Sequence, residues 1–179
     1  LDIETTGLGR GDRITTIAVL LDGVLAVYTR GLDLQSFLGR LSRVRLLVTY
    51  NGTRFDLPFI RRELGIDLAF PHLDLMPVLR AAGLRGGQKT CEERVGLVRT
   101  QSPDTCGADA VRLWRRYESA GDSDALRTLI VYNAEDAAML ERLAVWAYRH
   151  SMAAYPMTTA MEPSLPTNWG VDTINTTAL

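Results

Sequence analysis

Leu1-Asp2-Ile3-Glu4-Thr5-Thr6-Gly7-Leu8 opens the sequence, and the alternation inside it decides how the rest is read. Successive side chains of an extended strand point to opposite faces, so Asp2 and Glu4 share one face while Ile3 points to the other, into a core. Two carboxylates held side by side repel, and a bound divalent cation offsets that cost. Taken alone, the Asp-x-Glu pattern fits an edge strand with a solvated face equally well. The sequel Thr5-Thr6-Gly7 places small hydroxyl residues and a glycine at the strand end, where free backbone N–H groups are expected to meet a ligand. The stretch reads as the end of a strand whose beginning is missing, as in a fragment.

Downstream, residues 13–21 and 24–29 are β-rich runs joined by Asp22-Gly23, a strong two-residue hairpin signal, which predicts a three-strand antiparallel meander. Residues 33–41 carry apolar side chains at helical spacing, and 46–50 form a short apolar run suited to a buried strand. Residues 55–64 read as a helix with Pro58 in its first turn, and 69–72 as a last strand. From Asp74 the pattern is helical, over 75–81, 88–95, 110–117 and 123–148, with Asp122 or Ser123 as N-cap of the last. This order predicts an α/β fold, a central mixed sheet of the meander plus parallel strands, flanked by α-helices. One domain is expected over residues 1–149. Residues 150–179, poor in charge and without periodicity, read as a linker or loosely ordered extension.

Two further acidic positions join the first pair. Asp56, in Asn51-Gly52-Thr53-Arg54-Phe55-Asp56-Leu57-Pro58-Phe59, falls in the first turn of a helix, where the macrodipole favours a negative side chain. In Tyr132-Asn133-Ala134-Glu135-Asp136, Tyr132 and Asp136 lie one turn apart on one helix face, and Asp136 interrupts an apolar stripe. A carboxylate facing a core is rare unless it is paired or binds metal. Tyr132 alone also fits a core aromatic.

Composition removes other classes. With 46% hydrophobic and 23% charged side chains in 179 residues, the chain reads as one globular domain rather than a disordered or coiled-coil segment. Cys91 and Cys106 form no CxxC, and His72 and His150 are far apart, so no zinc site is expected. His72 reads as a packed loop residue. No apolar run reaches the ~18 residues of a membrane span, and a cytoplasmic protein with reduced thiols is expected. Gly7 to Gly11 lacks dinucleotide-loop spacing. Arg112, Arg115 and Arg116 around Trp114 suit either a phosphate-binding stretch with an aromatic or the solvated side of a helix.

In that order along the chain, LDIETTGL, NGTRFDLPF and YNAED resemble the three motifs of the DEDD superfamily of ribonuclease H-like 3′-5′ exonucleases, and Tyr132 four residues before Asp136 resembles its DEDDy subgroup. Between the last two motifs, HLDLMPVLR, GLRGGQKTCEERVGL and AVRLWRRYESAGDSDAL resemble the YprB-type predicted exonucleases, although Gly-Gly-Gln stands before Lys89. B-family polymerase proofreading domains share the three core motifs. The resemblance covers about residues 1–148 and implies a ribonuclease H-like fold. It implies that Asp2, Glu4, Asp56 and Asp136 hold two Mg²⁺ or Mn²⁺ ions, with Tyr132 orienting the attacking water. It places Thr5 and Thr6 against the terminal nucleotide and Leu8 against its base, with Asn51 and Phe55 lining the groove. The implied activity is release of 5′-mononucleotides from the 3′ end of single-stranded nucleic acid, and four acids from three elements suit two-ion chemistry at phosphorus.

The alternatives are a non-catalytic nucleic-acid-binding module of the same fold, a proofreading-type domain of a larger polymerase or helicase, and an endonuclease of the ribonuclease H type. DNA and RNA stay open as substrates, since no side chain is assigned to a 2′-OH. The net charge of −1 conceals an uneven distribution: residues 80–116 hold eight basic and four acidic groups, 117–149 three and six. A nucleic acid held by a local Arg-rich wall and two cations is expected, with modest salt dependence.

Overall fold

A computed structural model describes residues 1–102, 105–153 and 174–175. Strands β2 (Ile14–Leu21) and β3 (Val24–Thr29) form the expected hairpin, and Asp22 and Gly23 between them adopt φ of 52° and 75°, the positive values a two-residue turn of this kind requires. Strand β1 (Asp2–Thr5) pairs antiparallel with β2, setting Asp2 opposite Ala18 and Ile3 opposite Ile17. Strands β4 (Leu47–Thr49) and β5 (His72–Asp74) pair parallel. The Leu1 amine donates to the Val48 carbonyl across 2.8 Å and so sets β4 beside β1. A two-residue strand, β6 (Ile174–Asn175), runs parallel to β3 at Leu25 and Ala26. The result is α/β, as the order of runs predicts, with a mixed four-stranded sheet in the order β1-β2-β3-β6 and a two-stranded parallel sheet, β4-β5.

Both faces of the meander are covered, which explains why β2 and β3 are apolar at consecutive positions. Ile17, Val19, Ala26 and Tyr28 pack with Ile3 against a 3-10 helix (Leu34–Arg43) and helix α1 (Asp56–Leu64), through Phe37, Phe59 and Ile60. Ala18, Leu25 and Val27 face the other way, onto α4 (Gly107–Ala120) and α5 (Ser123–Ala153), through Trp114, Leu126, Leu129 and Ile130. A third cluster joins α2 (Leu75–Ala81) and α3 (Gln88–Arg94) to Leu140, Leu143 and Ala147 of α5. From Tyr132 to Leu140 nearly every side chain of α5 is buried, so its centre is enclosed rather than one-sided.

Several boundaries differ from the sequence reading: the helix expected over 110–117 runs from Gly107 to Ala120, and three others have evident causes. Residues 34–43 form a 3-10 helix in which Leu34 and Phe37 are the buried pair, and a three-per-turn helix stacks that spacing on one side. The strand expected at 69–72 is β5, starting at His72 rather than residue 69, because Pro71 has no N–H for a ladder and serves only as acceptor from Leu47 N–H (2.8 Å). Helix α5 begins where expected, with Asp122 accepting from Ala125 N–H (3.0 Å), but continues to Ala153. His72 therefore sits on a strand, with its Nε2 2.9 Å from Thr49 Oγ1. Cys91 and Cys106 are free thiols. No helix among the described residues is long and apolar enough to cross a membrane. The linker reading for 150–179 falls mostly outside the described residues.

Candidate active site

The alternation of β1 sends Asp2 and Glu4 toward α5 while Ile3 enters the opposite core. Asp136, at the enclosed centre of α5, meets them: one carboxylate oxygen from each of Asp2, Glu4 and Asp136 lies within 4.8 Å of the other two. Three acids this close raise one another's proton affinity. Burial holds Asp2 and Glu4 well above the usual carboxylate range, and repulsion from Asp136 and Asp56 pushes both further. Asp136 is raised by burial too, although Arg99 pulls it back. An all-oxygen donor set under such repulsion suits a hard divalent cation.

Asp56 stands apart from this group of three. It starts α1, as expected, and is almost fully buried at 2% exposure, but its Oδ1 accepts from the Ile3 N–H (3.2 Å). Burial raises its carboxyl to about 7, against the pull of the Leu1 amine and the Ile3 N–H. Its charge is still felt at Asp2 and Glu4. Helix α1 is fixed to the meander by Glu63, which accepts from Ile14 N–H (2.7 Å) and pairs with Arg30.

Tyr132 is buried one turn before Asp136; burial first, then the charge of Asp136, raises its phenol above the usual range, so it stays protonated at neutral pH. Lys89 Nζ lies 5.8 Å from the centre of the Tyr132 ring.

The loop after β1 differs from expectation. Thr5 Oγ1 donates to Gly7 O (2.7 Å), Thr6 N–H to Arg13 O (2.9 Å), and Thr6 Oγ1 to Asp12 Oδ1 (2.8 Å), so the Thr6 groups serve the loop itself instead of standing free. Asp12 also takes the Gly9 N–H (2.6 Å), bringing the loop into a tight turn. Leu8, at its tip, is 85% exposed. Asn51 has φ 62°, its N–H donates to Asp74 Oδ1 (2.8 Å), and its buried Oδ1 has no partner among the described residues. Gly52 follows because a Cβ there would lie 2.1 Å from Thr49 Oγ1. Phe55 is half-buried against Phe59, ring centres 4.9 Å apart.

Several residues that shape the site went unread in the sequence. Asn133 Nδ2 donates to Asp2 Oδ2 (2.7 Å). Arg99 pairs with both Glu92 and Asp136, and Gln88 Nε2 bridges Glu92 Oε1 and the Asp136 carbonyl, each at 2.9 Å. Asp74 caps α2 and holds the Asn51 and Thr53 N–H groups; an aspartate immediately before a helical run was the available signal. Glu135, beside Asp136, turns away to accept from the N–H groups of Thr100, Gln101 and Ser102. Trp114 is core, while Arg112 pairs with Asp109 and Arg116 with Asp122, so this stretch is the ion-paired solvated side of α4. An apolar recess lined by Val19, Leu21, Phe37, Leu41, Leu47 and Tyr148 holds none of the four acids.

A family model described as RNase_H_2, of the RNase_H superfamily, matches residues 1–148. The chain belongs to the RNase H superfamily. No curated protein matches it. Membership of the RNase H superfamily points to nuclease activity on nucleic acid with divalent metal, and among the described residues the carboxylates of Asp2, Glu4 and Asp136 form a group that could receive one.

Proposed function

We propose that this RNase H-like chain is a metal-dependent 3′-5′ exonuclease that hydrolyses terminal phosphodiester bonds of single-stranded nucleic acid and releases 5′-mononucleotides, using two Mg²⁺ or Mn²⁺ ions. The observation that carries the reading is the convergence of Asp2, Glu4 and Asp136 within 4.8 Å, from β1 and the centre of α5. These three would hold one ion, and Asp56, acting with Asp2, would serve the second. Bound there, divalent cations supply Lewis acidity to the scissile phosphate and lower the cost of deprotonating water. The chain's own groups do the rest. Tyr132, protonated at neutral pH, is a hydrogen-bonding positioner for the attacking water and a poor base. Leu8 offers its exposed side chain to the terminal base, and Asn51 and Phe55 line the approach to Asp56. Residues 1–149 are the catalytic unit, and the cytoplasm is the expected compartment.

The test is Mn²⁺-dependent release of mononucleotides from a 3′-labelled single strand, with Asp2→Ala and Asp136→Ala as controls. Loss of release in both variants is expected. Cleavage of a circular single strand would identify an endonuclease instead, and binding without any release would identify a non-catalytic module.

A further inference from the structure

Arg99 is buried beside the acids, with 5% of its side chain exposed, and touches two carboxylates at once. Its Nε donates to Glu92 Oε2 (2.6 Å) and its Nη2 to Glu92 Oε1 (2.8 Å), a two-pronged pair, while the same Nη2 also reaches Asp136 Oδ1. Glu92 is 2% exposed, and Gln88 Nε2 donates both to its Oε1 and to the Asp136 carbonyl. Glu92, Arg99 and Asp136 thus form a closed chain that reaches Asp136 from α3 and the loop after it, with Asp2 and Glu4 the other acids at that carboxylate.

An arginine alone at that place would neutralise one of the three acids and compete with a cation for Asp136. Glu92 alters the balance. Its two-pronged hold shares the guanidinium charge and fixes the planar fork, so that the second N–H of Nη2 is aimed at Asp136, while Nη1 is buried with no partner among the described residues. We infer that Glu92 and Arg99 are positioning residues: Arg99 fixes the Asp136 carboxylate toward Asp2 and Glu4, and Glu92 offsets the Arg99 charge so that the guanidinium does not compete with the cation for that carboxylate. This rests on the metal-site reading above. Groups that hydrogen-bond a metal ligand from behind commonly change metal affinity ~10–100-fold when removed.

The experiment measures Mn²⁺ binding by electron paramagnetic resonance beside turnover, in wild type, Glu92→Gln, Glu92→Gln/Arg99→Gln and Arg99→Lys, with thermal unfolding to establish that each folds. Glu92→Gln should weaken Mn²⁺ binding about tenfold, because the released guanidinium then compensates Asp136. The double variant should bind Mn²⁺ more tightly than Glu92→Gln while turnover stays low, since the charge is gone but so is the positioning. A purely structural role predicts a double variant at least as weak as the single one, and that result, or unchanged binding in Glu92→Gln, overturns the inference. Should Glu92→Gln not fold, Arg99→Lys carries the test. It keeps the charge near Glu92 and loses the fork, so turnover should fall with Mn²⁺ binding retained; unchanged turnover overturns the inference. Failure of the wild type to bind Mn²⁺, or binding that survives Asp136→Asn, would sink the metal-site reading itself, which is a separate outcome.

Discussion

Asn133 Nδ2 donates to Asp2 Oδ2 across 2.7 Å, tying the middle of α5 to the second residue of the chain. Asn133 is fully buried, and its Oδ1 has no partner among the described residues. The hydrogen bond therefore orients Asp2 without supplying charge, unlike the contact of Arg99 with Asp136. Asn133→Ala removes a buried hydrogen bond to a charged group, and a loss of about 1.5–3 kcal/mol in unfolding free energy is expected by urea denaturation. Asn133→Asp should be worse in chelator than in Mn²⁺, because it adds another acid beside three that already repel.

Asp56 and Asp136 are both almost fully buried, yet only Asp136 shares the 4.8 Å group with Asp2 and Glu4. Substitution should separate them. Asp136→Asn is expected to abolish the tighter Mn²⁺ site, whereas Asp56→Asn should retain that site and lose the weaker one, lowering the stoichiometry from two ions to one. Titration by calorimetry reads both. Loss of all binding in Asp56→Asn would show that the group of three does not suffice.

How much of this was legible follows from what kind of signal each residue carries. The shared face of Asp2 and Glu4, the helix start at Asp56 and the core-facing Asp136 were legible because a strand's two-residue alternation, a helix start and a broken apolar stripe are local patterns; their grouping as metal ligands came from the resemblance of the three motifs. The 3-10 helix and the start of β5 were misplaced by a few residues, since burial of Leu34 with Phe37 and the ladder demand on Pro71 are decided by tertiary partners. Arg99 and Glu92 gave no local sign: an arginine in a basic stretch reads as surface, and only the approach of α3 to α5 turns it into a buried pair. Asn133 was hidden by its neighbours Tyr132 and Asp136, which explained the motif without it.

The metal-free protein should lose stability as pH rises. Asp2, Glu4, Asp56 and Asp136 all have carboxyls raised in the folded state, Asp56 to about 7, so the folded chain binds more protons than the unfolded one above pH ~4. Their favourable contribution is full below the unfolded carboxyl range and is lost as pH climbs through the folded values. Thermal midpoints measured in chelator should therefore fall between pH 5 and 8. Saturating Mn²⁺ should flatten or reverse that slope, because the cation favours the ionised form. A midpoint in chelator that rises over this interval would contradict the placement of the acids.

Tyr132 supplies the sharpest separation of binding from chemistry. The residue is 7% exposed, packed with the α4 and β3 core, and its hydroxyl feels the charge of Asp136 one turn on. Tyr132→Phe keeps the ring and so should keep the fold and the Mn²⁺ affinity. What it removes is a neutral hydroxyl beside the acids, which stays protonated throughout the working pH range. A positioned hydrogen-bonding group of this type contributes ~10²-fold or more to rate. A drop in kcat of about that size with KM nearly unchanged is expected in steady-state mononucleotide release. An effect on KM alone would assign Tyr132 to substrate binding, and no effect at all would leave it as a core aromatic.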